Sequence, residues 1–352
     1  MTTRRTDTSI RRIAIMGSLA MLVAACGSAA SPSPTPTVQA ATPAPQASTE
    51  ASPTASAGNV PLPGEAWIAS QADFGIRLVR PDGTGAHMAF PLVPGGEQLH
   101  PDWSPEGDRL SFTVRGETDE IWIGDADGSD TRKVVECQDP CAWADEAAWS
   151  PDGTSLIFQR MVSSDGAGVS TLEILDLATD QGRIVLTAPA GRAFYQPRWS
   201  PDGTQVVTEF VKMAGTAFDS DVIGVSLAIV DLAAATPTLR ELTDADELTN
   251  SPDWSPATDL IVFAQPNSPS GFDGPSDLVT IRPDGTGRTV VTSVGPRDGQ
   301  TPQPAWSPDG TRIIFVLPDS TMATVAVDGT DQAHAVFQDP TSGLHPRYRP
   351  NP

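Results

Sequence analysis

From about residue 66 onward the apolar positions fall in short runs broken by turn residues, and no stretch carries the spacing of an amphipathic helix. Leu110-Ser111-Phe112, Leu156-Ile157-Phe158, Val206 to Phe210, Leu260 to Phe263 and Ile313-Ile314-Phe315 each close on an aromatic and predict buried strands. A second set of β-rich runs follows: Glu120-Ile121-Trp122-Ile123, Leu172-Glu173-Ile174-Leu175, Leu227 to Val230, Leu278-Val279-Thr280-Ile281 and Ala323-Thr324-Val325-Ala326. Ahead of each first run stands one phrase. It is Trp103-Ser-Pro-Glu-Gly, then Trp149-Ser-Pro-Asp152-Gly, Trp199-Ser-Pro-Asp202-Gly, Trp254-Ser-Pro and Trp306-Ser-Pro-Asp309-Gly, at intervals of about fifty residues. Pro presets φ, Asp bonds its own backbone and Gly accepts positive φ, so the phrase predicts a tight turn between two strands. Further turns at Asp127-Gly128, Asp284-Gly285 and Asp328-Gly329 end most of the second sets.

Four short antiparallel strands per interval make the pattern of a β-propeller blade, in an all-β chain. The segment Gly343-Leu344-His345-Pro346-Arg347-Tyr348-Arg349-Pro350 aligns with Gln98-Leu99-His100-Pro101-Asp102-Trp103-Ser104-Pro105 and has no blade after it. Ala66 to Ser70, Phe74 to Arg80 and the turn Pro81-Asp82-Gly83 read as the remaining strands of a unit that lacks its first. The expected fold is therefore six four-stranded blades, the last completed by pairing of the N- and C-terminal strands, which leaves no open edge.

These repeats resemble the TolB-type propellers of bacterial envelopes over residues 64–352. TolB itself carries an additional α/β domain before its propeller, for which this chain has no room, so the resemblance implies the propeller and not TolB's role in the Tol-Pal machinery.

Residues 1–25 read as an export signal. Arg4, Arg5, Arg11 and Arg12 precede an apolar run from Ile13 to Ala25, too short to span a bilayer comfortably, and Val23-Ala24-Ala25-Cys26-Gly27 places small residues before a cysteine. The segment resembles a bacterial lipoprotein signal, which implies acylation of Cys26 and a membrane anchor there; an ordinary secretory signal with a chance cysteine is the alternative. The Arg11-Arg12 pair leaves Sec and twin-arginine export both open. Residues 26–63 are almost wholly Ser, Thr, Ala and Pro with one charge, Glu50, a composition that buries no core. Such a spacer reaches roughly 35 Å as coil and about 110 Å as polyproline helix. Its threonine-proline tracts leave glycosylation open.

Cys137 and Cys141 flank Gln-Asp-Pro with no further Cys or His nearby, so a small surface disulfide outweighs a zinc site or a redox pair. The chain's net charge is -22; without residues 1–25, which hold four Arg and Asp7, it keeps 18 basic and 43 acidic residues, a net -25. That disfavours nucleic acid as a partner and favours cations or basic protein surfaces. Many of the acids are turn aspartates.

No Gly-x-Ser-x-Gly elbow, His-Glu-x-x-His or phosphate loop is present, and the histidines number four. The recurring Trp and Phe read as blade-to-blade core. The residue three before each phrase is His100, Glu146, Gln196, Ser251 and Gln303, with His345 in the terminal copy. Equivalent positions form a ring around the axis, so His345, His100 and Glu146 would meet near the channel mouth, as suits a divalent cation. Oligogalacturonate lyases, which these repeats also resemble, use a metal near the axis. The competing reading is a polar, water-lined channel with no cofactor. The sequence points to an exported, lipid-anchored, monomeric, non-catalytic propeller on the outer face of the cytoplasmic membrane, in the periplasm or on the cell surface, binding envelope protein. The other class is an enzyme or receptor for a glycan or small solute at the channel. The connections Met161 to Ser170 and Gln265 to Ser276 are expected as long, Gly/Ser/Asp/Pro-rich binding loops.

Overall fold

The computed structural model describes residues 61–350 apart from positions 63, 218–219, 269–270, 296–300, 332–333 and 338–343. The signal segment, Cys26 and nearly all of the spacer lie outside the described residues. Strands dominate, and two 3-10 turns, Ala245–Glu247 and Gly271–Asp273, are the helical elements among the described residues. No helix there is long and apolar enough to cross a membrane.

The first sheet joins β1 (Ile68–Ala72), β2 (Gly75–Val79) and β3 (His87–Met88) to the last strand of the chain, β24 (Leu344–Tyr348), in the order β24-β1-β2-β3. β24 runs antiparallel to β1, with Tyr348 opposite Ile68. An eight-stranded sheet follows. It divides into β4 (Glu97–Trp103), β5 (Arg109–Arg115), β6 (Asp119–Asp125) and β7 (Arg132–Val135), then β8 (Cys141–Trp149), β9 (Ser155–Ser164), β10 (Ala167–Asp176) and β11 (Gln181–Thr187). One parallel bridge, Asp119 to Trp143, is what merges the two units. Three four-stranded sheets complete the order: β12 (Arg192–Trp199), β13 (Gln205–Met213), β14 (Val222–Asp231) and β15 (Thr238–Glu241); β16 (Asn250–Trp254), β17 (Ile261–Pro266), β18 (Ser276–Ile281) and β19 (Thr289–Val294); and β20 (Ala305–Trp306), β21 (Arg312–Val316), β22 (Met322–Ala326) and β23 (His334–Phe337). The first strands of the units touch in the sequence β24, β4, β8, β12, β16, β20 and back to β24.

Core clusters lie between successive units. Trp67, Ile76 and Leu78 pack on Trp103, Leu110 and Phe112; Ile121 and Ile123 pack on Trp149, Leu156 and Phe158; and Ile68 and Val79 meet Ile314 and Met322. Each sheet is thus covered on both faces, which is why the strands read as continuous apolar runs rather than strict alternation. Phe112, Phe158, Phe263 and Phe315 sit at one repeat position and are essentially buried, each contributing about 2 to 3 kcal/mol of transfer free energy. The β12 unit departs from this. Thr208 takes that place, and Phe210, two residues on, stacks on Phe194 at 5.3 Å.

The repeated phrase makes the expected turn. Ser150 Oγ donates to Asp152 Oδ1 at 2.6 Å, that oxygen also accepts from Thr154 N at 3.0 Å, and Gly153 takes φ of 68°. Asp202 and Asp309 repeat the arrangement. Because strands alternate in direction, these turns and the turns after each third strand share one face. The hairpins between second and third strands, and the connections between units, share the other.

One expected loop is not a loop. Met161 pairs with Ser170 and Ser164 with Ala167, so Met161 to Ser170 is an extended hairpin closed by Asp165-Gly166. Both turn residues have positive φ, 51° and 81°, the geometry that matches the twist of flanking strands. In the stretch from Gln265 to Ser276 the strands continue through Gln265 paired with Asp277 and Pro266 paired with Ser276, a 3-10 turn lies at Gly271–Asp273, and positions 269–270 lie outside the described residues.

Candidate functional site

The six positions three before the phrase share a backbone feature that no local propensity announces. His100, Glu146, Gln196, Ser251, Gln303 and His345 all have φ between 48° and 57°. None is glycine, and a non-glycine residue in this region carries a cost of about 1 to 3 kcal/mol. Pairing slips there in the first strands, between Leu99 and Asp102, Asp145 and Ala148, Tyr195 and Arg198, and Asn250 and Asp253. A bulge of this kind frees the residue's N–H from the ladder.

Four of those N–H groups are taken by side chains. Glu146 N donates to Asp145 Oδ1 (2.7 Å), Gln196 N to Glu146 Oε2 (2.7 Å), Ser251 N to Glu209 Oε1 (2.7 Å) and His345 N to Gln303 Oε1 (2.9 Å). In the last three the acceptor belongs to the preceding unit, so the tier stitches units together. The side chains of the ring meet in part. The imidazoles of His345 and His100 stand edge to face with centroids 4.3 Å apart, and Gln303 Nε2 lies 3.2 Å from His345 Nε2. His100 Nδ1 is 2.6 Å from Asp145 Oδ1, which also accepts from Thr113 Oγ1 at 2.5 Å. Glu146 turns the other way, accepting from Gln159 Nε2 at 3.0 Å as well as from Gln196 N. Ser251 Oγ and Thr301 Oγ1 are 2.8 Å apart. Among the described residues no three His, Cys, Asp or Glu side chains are grouped so as to hold a metal ion.

Burial dominates the protonation of this tier. It works against charge on His100, but the Asp145 carboxylate outweighs it and raises the imidazole's pKa. His345 has no such partner, and burial, then the charge of His100, hold its pKa well below the ordinary value. Burial raises Glu146, and burial followed by the charge of Glu146 pushes Glu209 up to about 8. Tyr195 is raised by burial and then by the charges of Glu146, Glu209 and Asp145.

A second tier lies one position before the Trp of each phrase and before Tyr348 in the terminal copy. Around the ring it reads Arg347, Asp102, Ala148, Arg198, Asp253, Ala305, a three-residue pattern given twice. The geometry repeats with the letters. Asp102 Oδ2 accepts from Trp149 N at 2.9 Å and Asp253 Oδ2 from Trp306 N at 2.8 Å; Arg347 Nε and Arg198 Nε each stand 3.8 Å from Oδ1 of Asp102 and Asp253. The guanidinium groups bend back to the carbonyls of Pro346 and Pro197. Burial, then Arg198, lowers Arg347 to about 10. Trp103, Trp199 and Trp306 donate their indole N–H, each at 3.2 Å, to the carbonyls of Arg347, Ala148 and Asp253 in the preceding unit.

The sequence reading missed this tier, and with it Asp145, Tyr195 and Glu209. The column immediately before Trp would have shown its pattern. Glu209 stands in a second strand and carries no repeat signal, since its counterparts are Thr113 and Gln159. Trp254 keeps the phrase's Trp-Ser-Pro but not its Asp-Gly, and its turn is held by Thr258 N on Ser255 Oγ at 3.1 Å. Cys137 and Cys141 are bonded, S–S 2.10 Å, at the start of the strand that carries Asp145 and Glu146.

A family model described as TolB beta propeller domain matches residues 92–309. The chain belongs to that family. Its fold is similar to that of TolB from Acinetobacter baumannii, at 15% identity and TM-score 0.58, covering 82% of this chain and 67% of that one. It is also similar to a putative TolB from Agrobacterium tumefaciens, at 17% identity and TM-score 0.54, covering 78% and 88%. At these identities the likeness concerns the propeller fold alone. No curated protein matches the sequence.

Proposed function

We propose that this TolB-family propeller is the exported, membrane-anchored part of a lipoprotein acylated at Cys26, and that it serves as a non-catalytic protein-binding module of the cell envelope. In this reading it has six four-stranded blades closed through β24 and β1. Support for closure comes from the β24–β1 pairing and the cyclic contacts of the first strands.

The observation that carries the reading is how the two faces differ. On the turn face, aspartates such as Asp152, Asp202 and Asp309 spend their carboxylates on their own turns. On the hairpin face apolar side chains stand exposed: Phe74 at 54%, Leu92 at 53%, Ile223 at 47% and Val169 at 38%. There, too, the hairpins of the β8 and β12 units rise together, bridged at Ala167 and Ala217, over a satellite cluster of Met161, Val211, Val225 and Phe272. Unspent apolar surface beside a rigid frame suits a protein partner. Arg349 donates to the carbonyls of Gly107, Leu62 and Glu65, which brings the spacer's end to the turn face. The hairpin face would then point away from the anchoring membrane.

Photo-crosslinking residues placed at Phe74 and Val169, and for contrast at Thr154 and Thr204, test this in cells. Discrete adducts to one envelope protein from the first pair, confirmed from the partner's side, are expected. Adducts from the turn face alone, or from neither, reject it.

A small-solute receptor or enzyme remains the second reading, favoured by the buried cluster of His100, Asp145, Glu146 and Glu209. A divalent cation at His100, Glu146 and His345 belongs with it, although Asp145 already occupies His100 Nδ1.

A further inference from the structure

Glu146 and Glu209 stand in adjacent units, and both are buried, at 7% and 3% exposure. Each spends one oxygen on the backbone N–H of the following unit. Among the described residues no cation lies within ion-pair distance of either. Arg115 is engaged 3.2 Å from Asp119 and 3.9 Å from Asp145, and His100 is bound to Asp145. Arg198 and Arg347 belong to the tier beneath, facing Asp253 and Asp102. The two buried carboxyl groups thus share a dry place with no cation bonded to either, the charges of His100 and Arg198 acting on Glu146 only from a distance, an arrangement whose desolvation cost is ordinarily offset by a partner.

A second observation points the same way. Asn250, 4% exposed, occupies the repeat position of Asp145 and Tyr195, and its Oδ1 has no hydrogen-bond partner while its Nδ2 donates to Leu248 O. In Asp145 that position aims back at the preceding unit, at His100 and Thr113. By the same repeat Asn250 is placed toward Gln196 and Glu209. The place is rich in acceptors and short of donors.

We propose that the buried acceptor cluster where the β8, β12 and β16 units meet, made by Glu146, Glu209 and the unpartnered Asn250 oxygen, takes an organic cation, a guanidinium or primary ammonium group. Resting on the protein-binding reading, the inference makes the group an Arg or Lys side chain of the partner. A guanidinium offers five donors in a plane, enough for both carboxylates and the Asn250 oxygen, and is weakly hydrated, so it enters a dry site at lower cost than a metal ion. Because Glu209 holds its proton at neutral pH, the incoming cation displaces that proton. Binding should therefore release up to one proton and strengthen as pH rises toward 8.

Calorimetric titration of the mature chain with N-acetyl-arginine methylamide and N-acetyl-lysine methylamide, against N-acetyl-citrulline methylamide as the uncharged isostere, decides it. Saturable one-to-one binding of a cationic probe is expected, at least tenfold tighter than citrulline, with proton uptake by the buffer at pH 7. Glu209→Gln and Glu146→Gln should each weaken it tenfold or more, and Asp152→Asn on the turn face should leave it unchanged. Equal binding of citrulline, no saturation by either cationic probe, or undiminished binding to Glu209→Gln overturns the proposal. So does calcium binding that Glu209→Gln abolishes while the arginine probe does not bind. Crosslinks from Phe74 and Val169 report on the protein-binding reading by themselves, so the two can fail separately.

Discussion

Glu209→Gln should make the protein more stable, by an amount that grows with pH. The carboxyl is 3% exposed on β13, accepts one backbone N–H and faces a second buried carboxylate, and its pKa rises from an ordinary 4.5 to about 8. Between those two values the folded protein holds a proton that the unfolded chain has released. Stability associated with the protonated carboxyl is complete below about pH 4.5 and falls as pH rises toward 8, at about 1.4 kcal/mol per pH unit for one proton. Glutamine keeps the acceptor for Ser251 N and removes the titration. The variant should therefore exceed the wild type by about 1 kcal/mol at pH 5 and about 3 kcal/mol at pH 7. Urea unfolding of both proteins at pH 5, 6, 7 and 8, with a shared m value, measures the difference. His345 and the turn aspartates titrate in both proteins and cancel. A gap that stays constant across that range, or a variant less stable at pH 7, would refute the account of Glu209 as a buried, proton-holding group.

Two further outcomes follow from the frame. Replacing Cys137 and Cys141 together by Ser opens a loop with a sequence separation of 4. By loop entropy the loss is about 2 kcal/mol, read by denaturant titration, and a loss near zero would mean that β8 is held without the bond. Arg349→Met removes three charge-assisted bonds to the carbonyls of Gly107, Leu62 and Glu65. It should cost about 3 kcal/mol and lower the thermal midpoint, and an unchanged midpoint would show that these bonds do not help hold the end of the chain in place.

Much of the frame was legible because the repeats state it redundantly: five Trp-Ser-Pro phrases, recurring aromatics, an orphan first strand at the C-terminal end and a unit lacking its first strand at the other. The pairing of Tyr348 with Ile68 is what those ends implied. The Met161 to Ser170 stretch was misread because polar Ser and Gly residues look like loop composition, whereas a hairpin that rises above the sheet needs turn chemistry only at Asp165-Gly166. Strand registers beyond the blade carry no hydrophobic pattern to reveal them.

The inner tiers were half legible for a related reason. Repetition identifies which positions are equivalent, so His100, Glu146, Gln196, Ser251, Gln303 and His345 could be placed on one ring. It says nothing about where each side chain turns. The left-handed bulge leaves the residue's N–H in need of an acceptor, and the hydrogen bonds around it decide where the side chain goes. The need is met by whatever polar residue the preceding unit supplies: Glu146 for Gln196, Glu209 for Ser251 and Gln303 for His345. The same oxygen cannot serve freely as a metal ligand and as the cap of a bulge. Conflict between those two uses is why Glu146 faces away from the imidazoles toward Gln159 and Gln196. Of the carboxylate caps Asp145 is paired with His100, whereas at Glu146 and Glu209 structural duty leaves acceptors behind with no cation bonded to them. In a fold whose repeat positions are otherwise consumed by holding units together, that surplus is where recognition of a cation has room to act.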